Sequence, residues 1–213
     1  MKIKCLILLG TILLFVLAGC RQQSESFDEI LSVYEKMTEG EDAIRLNMQQ
    51  KNDLREEERE LRGLIIEGGE DSNLAVMPYI EEMIESIRSR ETLMEEMVRI
   101  MEETKEELEA ATLLIESIQD QRVRESFLEV QNLHRERYDA FIEWSNHYLE
   151  TTREEIRFYN LLQEEEQSLQ ELESITIELN QRGTVEGELQ EALTQVSIRL
   201  NDAIGELARA LEG

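Results

Sequence analysis

The chain has 213 residues, with 48 acidic side chains against 22 basic ones, a formal net charge of −26 and only 5% aromatic content. So negative a surface repels nucleic acid, anionic lipid headgroups and polyanionic wall polymers, which excludes nucleic-acid binding and simple electrostatic adhesion to the wall. High charge with few aromatics also raises the prospect of disorder, and the periodicity of the body answers it.

Met1 to Cys20 reads as a bacterial lipoprotein leader. Lys2 and Lys4 hold the start on the cytoplasmic side, and the apolar run Leu6 to Leu17 falls short of the roughly 20 residues that span a bilayer. Leu17-Ala18-Gly19-Cys20 follows. The small residues Ala18 and Gly19 admit a peptidase, and the thiol of Cys20 takes a diacylglycerol and becomes the new N-terminus. Residues 1–19 are therefore expected to be a signal peptide cleaved between Gly19 and Cys20, and residues 20–25 a lipidated cysteine with a short tether. The expected address is the cell membrane, lipid-anchored on the extracytoplasmic face. Two acyl chains on one cysteine meet the rule that stable anchoring needs more than one. Cleavage removes Cys5, and lipidation consumes Cys20, so no thiol remains for catalysis, disulfides or metal binding.

The body, residues 26–213, reads as helix throughout. Segment one runs from about Ser26 to Ile66, with Phe27, Ile30, Tyr34, Met37, Ile44 and Met48 at helical spacing, then Leu54, Leu61 and Ile65. Gly68-Gly69-Glu70-Asp71-Ser72-Asn73 ends it with turn and capping residues. In segment two, Ile80, Ile84, Ile87, Glu91, Met94, Val98, Met101, Lys105, Leu108, Thr112 and Ile115 alternate steps of four and three. Such a repeat predicts a left-handed helical seam, and Pro78 suits a first-turn position. Segment three starts near Asp120, a cap, and continues to about Glu166. Ser168-Leu169-Gln170-Glu171 has the form of a capping box and opens segment four. There Leu172, Ile175, Leu179, Leu189, Leu193, Val196, Leu200, Ala203, Leu207 and Ala210 share one register through Arg182 and Glu186. Since a loop would reset the phase, the spacing predicts one helix carrying Gly183 and Gly187 at about 1 kcal/mol each.

The expected fold class is all-α: an elongated antiparallel helical bundle or coiled coil of about four long helices, on the order of 60 Å in length. Short connections force antiparallel neighbours, and one apolar stripe per segment supplies the core.

Little in these helices carries chemistry. His134 and His147 each lack a glutamate three residues before, since Gln131 and Trp144 stand there, so the Glu-x-x-His pattern of di-iron bundles is missing. Both histidines are expected at the surface or flank. The glutamate clusters Glu56-Glu57-Glu58, Glu102-Glu103, Glu106-Glu107 and Glu164-Glu165-Glu166 lie on straight helices, which splay carboxylates apart instead of converging them on a cation. They read as solvated faces. Met94, Met97 and Met101 read as core filler and not as copper ligands. No metal, cofactor or catalytic residue is assigned.

Aromatics gather on segment three, as Phe127, Tyr138, Phe141, Trp144, Tyr148, Phe158 and Tyr159. Tyr138, Phe141, Ser145, Tyr148, Thr152 and Tyr159 follow core spacing, with Trp144 at the stripe's edge. An exposed aromatic face can stack on sugar rings or anchor a protein. Tyr138, Trp144 and Tyr148 are the candidate ligand contacts on that basis.

A lipoprotein leader followed by this helical body resembles the cell-wall-binding lipoprotein family of Gram-positive bacilli, the YkyA-like group. The resemblance covers most of the chain after the leader. It rests on the helical first segment, the Leu64-Ile65-Ile66 to Gly69 turn, the Glu- and Met-rich second helix, and the stretch His134-Arg135-Glu136-Arg137-Tyr138-Asp139-Ala140-Phe141. It implies an envelope-facing, non-enzymatic protein associated with the wall, and it brings no active residues across. The expected function is therefore a membrane-anchored lipoprotein that binds peptidoglycan-associated cell-wall material without catalysing a reaction. An adaptor or scaffold for an envelope membrane-protein complex, and a regulator of a wall hydrolase, are the alternatives.

Overall fold

A computed structural model describes residues 23–69, 73–164 and 168–212. The leader, Gly19, Cys20, the start of the tether and the Glu70–Ser72 portion of the first turn lie outside the described residues. The elements are α1 (Gln23–Gly69), α2 (Asn73–Ala110), the single turn α3 (Thr112–Glu116), α4 (Gln121–Leu162) and α5 (Leu169–Leu211). The fold is all-α, built on four long helices, with no strand among the described residues.

The chain divides into two compact units, each drawing on parts of the four long helices. The first holds the described residues up to Gly40, Glu102–Ala140 and those from Ala192 onward; the second holds Glu41–Met101 and Phe141–Glu191. Within the second unit consecutive helices run antiparallel. Glu58 of α1 meets Arg90 of α2 while Gly68 approaches Val76, and Glu150 and Arg157 of α4 meet Arg182 and Glu171 of α5. In the first unit, Lys105 and Glu109 of α2 pair with Asp139 and Arg135 of α4, again in opposite directions.

The buried register of α2, carried on through α3 to Ile118, is an unbroken alternation of four and three. It runs Val76, Ile80, Met83, Ile87, Arg90, Met94, Met97, Met101, Thr104, Leu108, Ala111, Ile115 and Ile118, every one of them buried. Six of the eleven residues of the seam expected from sequence, Ile80, Ile87, Met94, Met101, Leu108 and Ile115, lie in this series. Ile84 is buried beside it, whereas Glu91, Val98, Lys105 and Thr112 are half-buried flanks. A helix packed against two neighbours buries a stripe wider than one seam, so more than one four-three series can be traced through its apolar residues.

Two local expectations for segment two are corrected. Pro78 sits inside α2 and not in its first turn, so the helix forgoes one backbone bond, to the Leu74 carbonyl. The helix also breaks at Ala111, before Ile115. Ala111 keeps helical dihedrals (φ −73°, ψ −15°), and its N–H turns to the Leu108 carbonyl at 3.2 Å, a tightened turn that leaves the core register intact. Buried Gln131 of α4 donates to that same carbonyl at 2.8 Å and to Thr112 Oγ1 at 2.9 Å. The broken turn is thereby stitched to the facing helix.

Asp120 caps α4, its Oδ1 accepting from the Val123 N–H at 3.1 Å. The helix stops at Leu162, short of Glu166, where Gln163 and Glu164 bond back three residues at 3.1 and 3.3 Å in the tightened geometry of a helix end. Ser168 caps α5 through Oγ, which accepts from the Glu171 N–H at 3.3 Å. The reciprocal half of the capping box is not made, because Glu171 accepts from Arg157 at 2.7 Å instead. Gly183 and Gly187 lie within a continuous α5, as the unbroken phase predicts.

Candidate functional site

The second unit contains a cavity of about 690 Å³ between its helices. One wall is apolar, with Ile65 of α1, Met83 and Ile87 of α2, Phe158 and Leu162 of α4, and Leu179 of α5. Met83 and Ile87 belong to a packed cluster with Leu61, Val76, Ile80, Ile84 and Tyr159, against which Ile65, Phe158 and Leu162 pack. The rest of the lining is charged or polar and includes Arg55, Glu58, Arg62, Arg90, Glu155 and Glu186. Exposed residues such as Arg62, Ile66, Gly183 and Gly187 also line it, so the cavity opens to solvent.

Space exists there because α5 is thinly packed. Between Leu169 and Glu191 only Ile175 and Glu186 are buried, and Leu179 and Leu189 of the expected stripe are half-buried. At Gly183 and Gly187, one turn apart, an added Cβ would meet nothing within 4 Å.

Arg90 organises the polar side. It is 1% exposed and projects from a core position of α2 in three directions. Nε donates to Glu58 Oε1 at 2.6 Å, Nη1 to the Tyr148 hydroxyl at 2.5 Å, and Nη2 to Glu155 Oε2 at 2.6 Å. Burial works against the guanidinium's charge, but Glu155, Tyr148 and Glu58 together outweigh it and hold the proton more tightly than usual. Ser86 Oγ also donates to Glu58 Oε1, at 2.9 Å. Charge-assisted bonds of this kind are the strong ones, and the planar fork of arginine is what reaches three partners on two helices, α1 and α4, at once.

Tyr148 lies among three cations. Lys51 Nζ is 4.6 Å from its ring centroid, and the guanidinium carbons of Arg55 and Arg90 are at 5.2 and 5.6 Å. Lys51 also lies 4.9 Å from the Trp144 ring. The ammonium, 3% exposed, is held by ring faces, and burial and Arg55, only partly offset by Glu186, bring its pKa down to about 8. Burial pushes the Tyr148 hydroxyl up despite the arginines, so it stays protonated and accepts from Arg90. Arg55 Nη2 is 3.8 Å from Glu186 Oε1, an ion pair too long to be a hydrogen bond.

These placements revise the sequence-based assignment of contacts. Tyr138, Trp144 and Tyr148 are all buried, at 0%, 3% and 1% exposure, so none offers a face for stacking on a ligand from solvent. Tyr138, Phe141, Ser145, Tyr148, Thr152 and Tyr159 form the buried stripe that their spacing predicts, and Trp144 is buried with them. His134 is also interior, between the rings of Tyr34 and Tyr138 at 5.9 and 5.7 Å, and burial and Arg137 lower its pKa to about 3. His147 is on the flank, as expected, with Nε2 donating to the Arg182 carbonyl at 2.9 Å. No group of three His, Cys, Asp or Glu side chains comes together to hold a metal among the described residues. No helix there is long and apolar enough to cross a membrane.

Glu58, expected on a solvated face with Glu56 and Glu57, is buried instead, and the buried charges in and beside the cavity carry a signal in the sequence. Lys51 and Glu58 continue the seven-residue interval of Ile30, Met37 and Ile44 on α1, and Arg90 continues that of Val76 and Met83 on α2. A charge on a core heptad position is a polar group that the fold must partner.

No curated protein and no solved structure matches this chain. The sequence profile of the YkyA family, described as "Putative cell-wall binding lipoprotein", matches residues 25–209, and the chain belongs to that family.

Proposed function

We propose that the protein is a lipoprotein held on the extracytoplasmic face of the membrane through Cys20, and that it binds cell-wall material without catalysing a reaction. Membership of the family supports the coarse reading, and the leader ending in Leu17-Ala18-Gly19-Cys20 supports the anchor. One observation carries the choice of binding site: the cavity of about 690 Å³ in the second unit, with a charged interior and an apolar wall. Its size and its few convergent polar groups suit a bound small molecule or chain segment. A net charge of −26 argues against attraction to polyanionic polymers, so recognition rests on the local chemistry of this cavity. The test is co-sedimentation of the purified chain with wall sacculi, alongside palmitate labelling in cells. Retention on sacculi and label lost in Cys20→Ser are expected. A chain left in the supernatant contradicts wall binding, and an unlabelled wild type contradicts the anchor.

A further inference from the structure

The polar groups of the cavity leave specific capacities unused. Glu58 is 3% exposed and accepts both of its bonds, from Arg90 and Ser86, through Oε1; Oε2 meets no donor among the described residues. Glu186, 8% exposed, likewise accepts from Gln190 and faces Arg55 through Oε1, leaving Oε2 uncommitted. Arg55 makes no hydrogen bond among the described residues; its guanidinium stands over the Tyr148 ring and 3.8 Å from Glu186. Each nitrogen of the Arg90 fork, by contrast, already donates, to Glu58, Tyr148 and Glu155. The lining therefore presents two carboxylate oxygens able to accept from an ammonium and one guanidinium able to donate to a carboxylate. Its three arginines balance its three glutamates, so a net charge of either sign gains little, whereas separated opposite charges gain at both ends.

Opposite this polar side lie Ile65, Met83, Ile87, Phe158 and Leu179, a surface suited to small apolar side chains. The α5 wall is bare backbone at Gly183 and Gly187, where a Cβ would meet nothing within 4 Å. Nothing in the packing requires glycine at either position, and each costs the helix about 1 kcal/mol against alanine. Both line the cavity, so its α5 side is left without side chains at these two positions.

We propose that this cavity binds a short zwitterionic peptide, with an ammonium on Glu58 and Glu186, a carboxylate on Arg55 and small apolar side chains against the Phe158 wall. Diamino-acid stem peptides of the cell wall have this chemistry, an assignment that rests on the wall-binding reading above. The apolar contacts demand a dry, complementary fit, and the uncommitted carboxylates favour a ligand that brings its own donors.

The test is calorimetric titration of the purified chain with a synthetic tetrapeptide that carries a free side-chain amine and a free C-terminal carboxylate. The same peptide acetylated at its amines, and the same peptide amidated at its C-terminus, are compared. Binding of the free peptide is expected, with each capped form weaker by at least about tenfold. Gly187→Leu, which fills the cavity from an exposed helix position, is expected to weaken it by a similar factor, as is Arg55→Gln for the free carboxylate form. Far-ultraviolet circular dichroism checks that both variants fold, and Arg55→Gln keeps the test intact if Gly187→Leu does not. Equal binding of free and capped peptides, or wild-type affinity in both variants, overturns the proposal. If the free peptide does not bind while sacculi still retain the chain, the peptide assignment falls and wall binding stands; if sacculi do not retain it either, both fall.

Discussion

Arg90 on α2 and Glu58 on α1 form an ion pair at 2.6 Å with side-chain exposures of 1% and 5%, at positions that the heptad repeat reserves for apolar residues. Replacing Arg90 leaves Glu58 without its counter-charge in the interior, whereas replacing Glu58 leaves Arg90 bonded to Glu155 and Tyr148. Arg90→Met alone is expected to lower unfolding free energy by about 3 to 5 kcal/mol, Glu58→Leu alone by less, and the double variant by clearly less than the sum. Arg90→Lys does not rescue, because an ammonium cannot reach Glu58, Tyr148 and Glu155 together. Urea denaturation of the four proteins measures the coupling, and additive losses contradict it.

Lys51 sets a pH dependence on the alkaline side. Its pKa is about 8 in the folded protein against an ordinary 10.5, so between these values the unfolded chain binds more protons and stability rises with pH. Below about 8 both states are charged and the burial penalty is fully present. Arg55 and Arg90 oppose the charge and Glu186 favours it. Lys51→Met is therefore expected to be more stable than wild type at pH 7, with the gap narrowing towards pH 9.5. Paired denaturation curves check this; a constant gap contradicts it.

His134 acts on the acid side, and in the same sense. Its folded pKa of about 3 lies below the ordinary 6.5, so stability is kept above pH 6.5 and lost progressively as pH falls towards 3. Burial is the main cause, with the charge of Arg137 beside it; the packed faces are the rings of Tyr34 and Tyr138. His134→Phe is expected to remove on the order of 3 kcal/mol from the loss between pH 7 and pH 4. An unchanged acid profile in this variant contradicts the assignment.

Glycines of one chain are expected to respond in opposite directions. At Gly183 a Cβ meets open space, whereas at Gly68 it would lie 2.8 Å from Val76 Cγ1, where α1 and α2 approach. Gly183→Ala is expected to stabilise by about 1 kcal/mol, and Gly68→Ala to destabilise because buried Val76 must shift. Thermal melts of the two variants, moving Tm in opposite directions, check the contrast.

Most of the architecture was legible in the sequence because helical periodicity is written in residue spacing. Asp120 and Ser168 marked helix starts through their side-chain oxygens, and the phase held through Gly183 and Gly187. The break at Ala111 was not legible, since alanine favours helix and the compensation comes from Gln131 on another helix. The charged cavity was hidden for a related reason. Lys51, Glu58 and Arg90 look like solvated surface in a chain this acidic, and only their heptad positions place them inside. Clustered aromatics on α4 signalled a core and not a surface: Trp144 and Tyr148 enclose Lys51 and Tyr148 accepts from Arg90, while Phe158 and Tyr159 line the cavity beside its charges and glycines.

Retention on purified sacculi, measured side by side for the wild-type chain and Gly187→Leu at equal helicity, tests the central claim most directly. Binding of the wild type with loss in the variant is the predicted result; a wild type that stays in solution, or equal retention of the two, would contradict it.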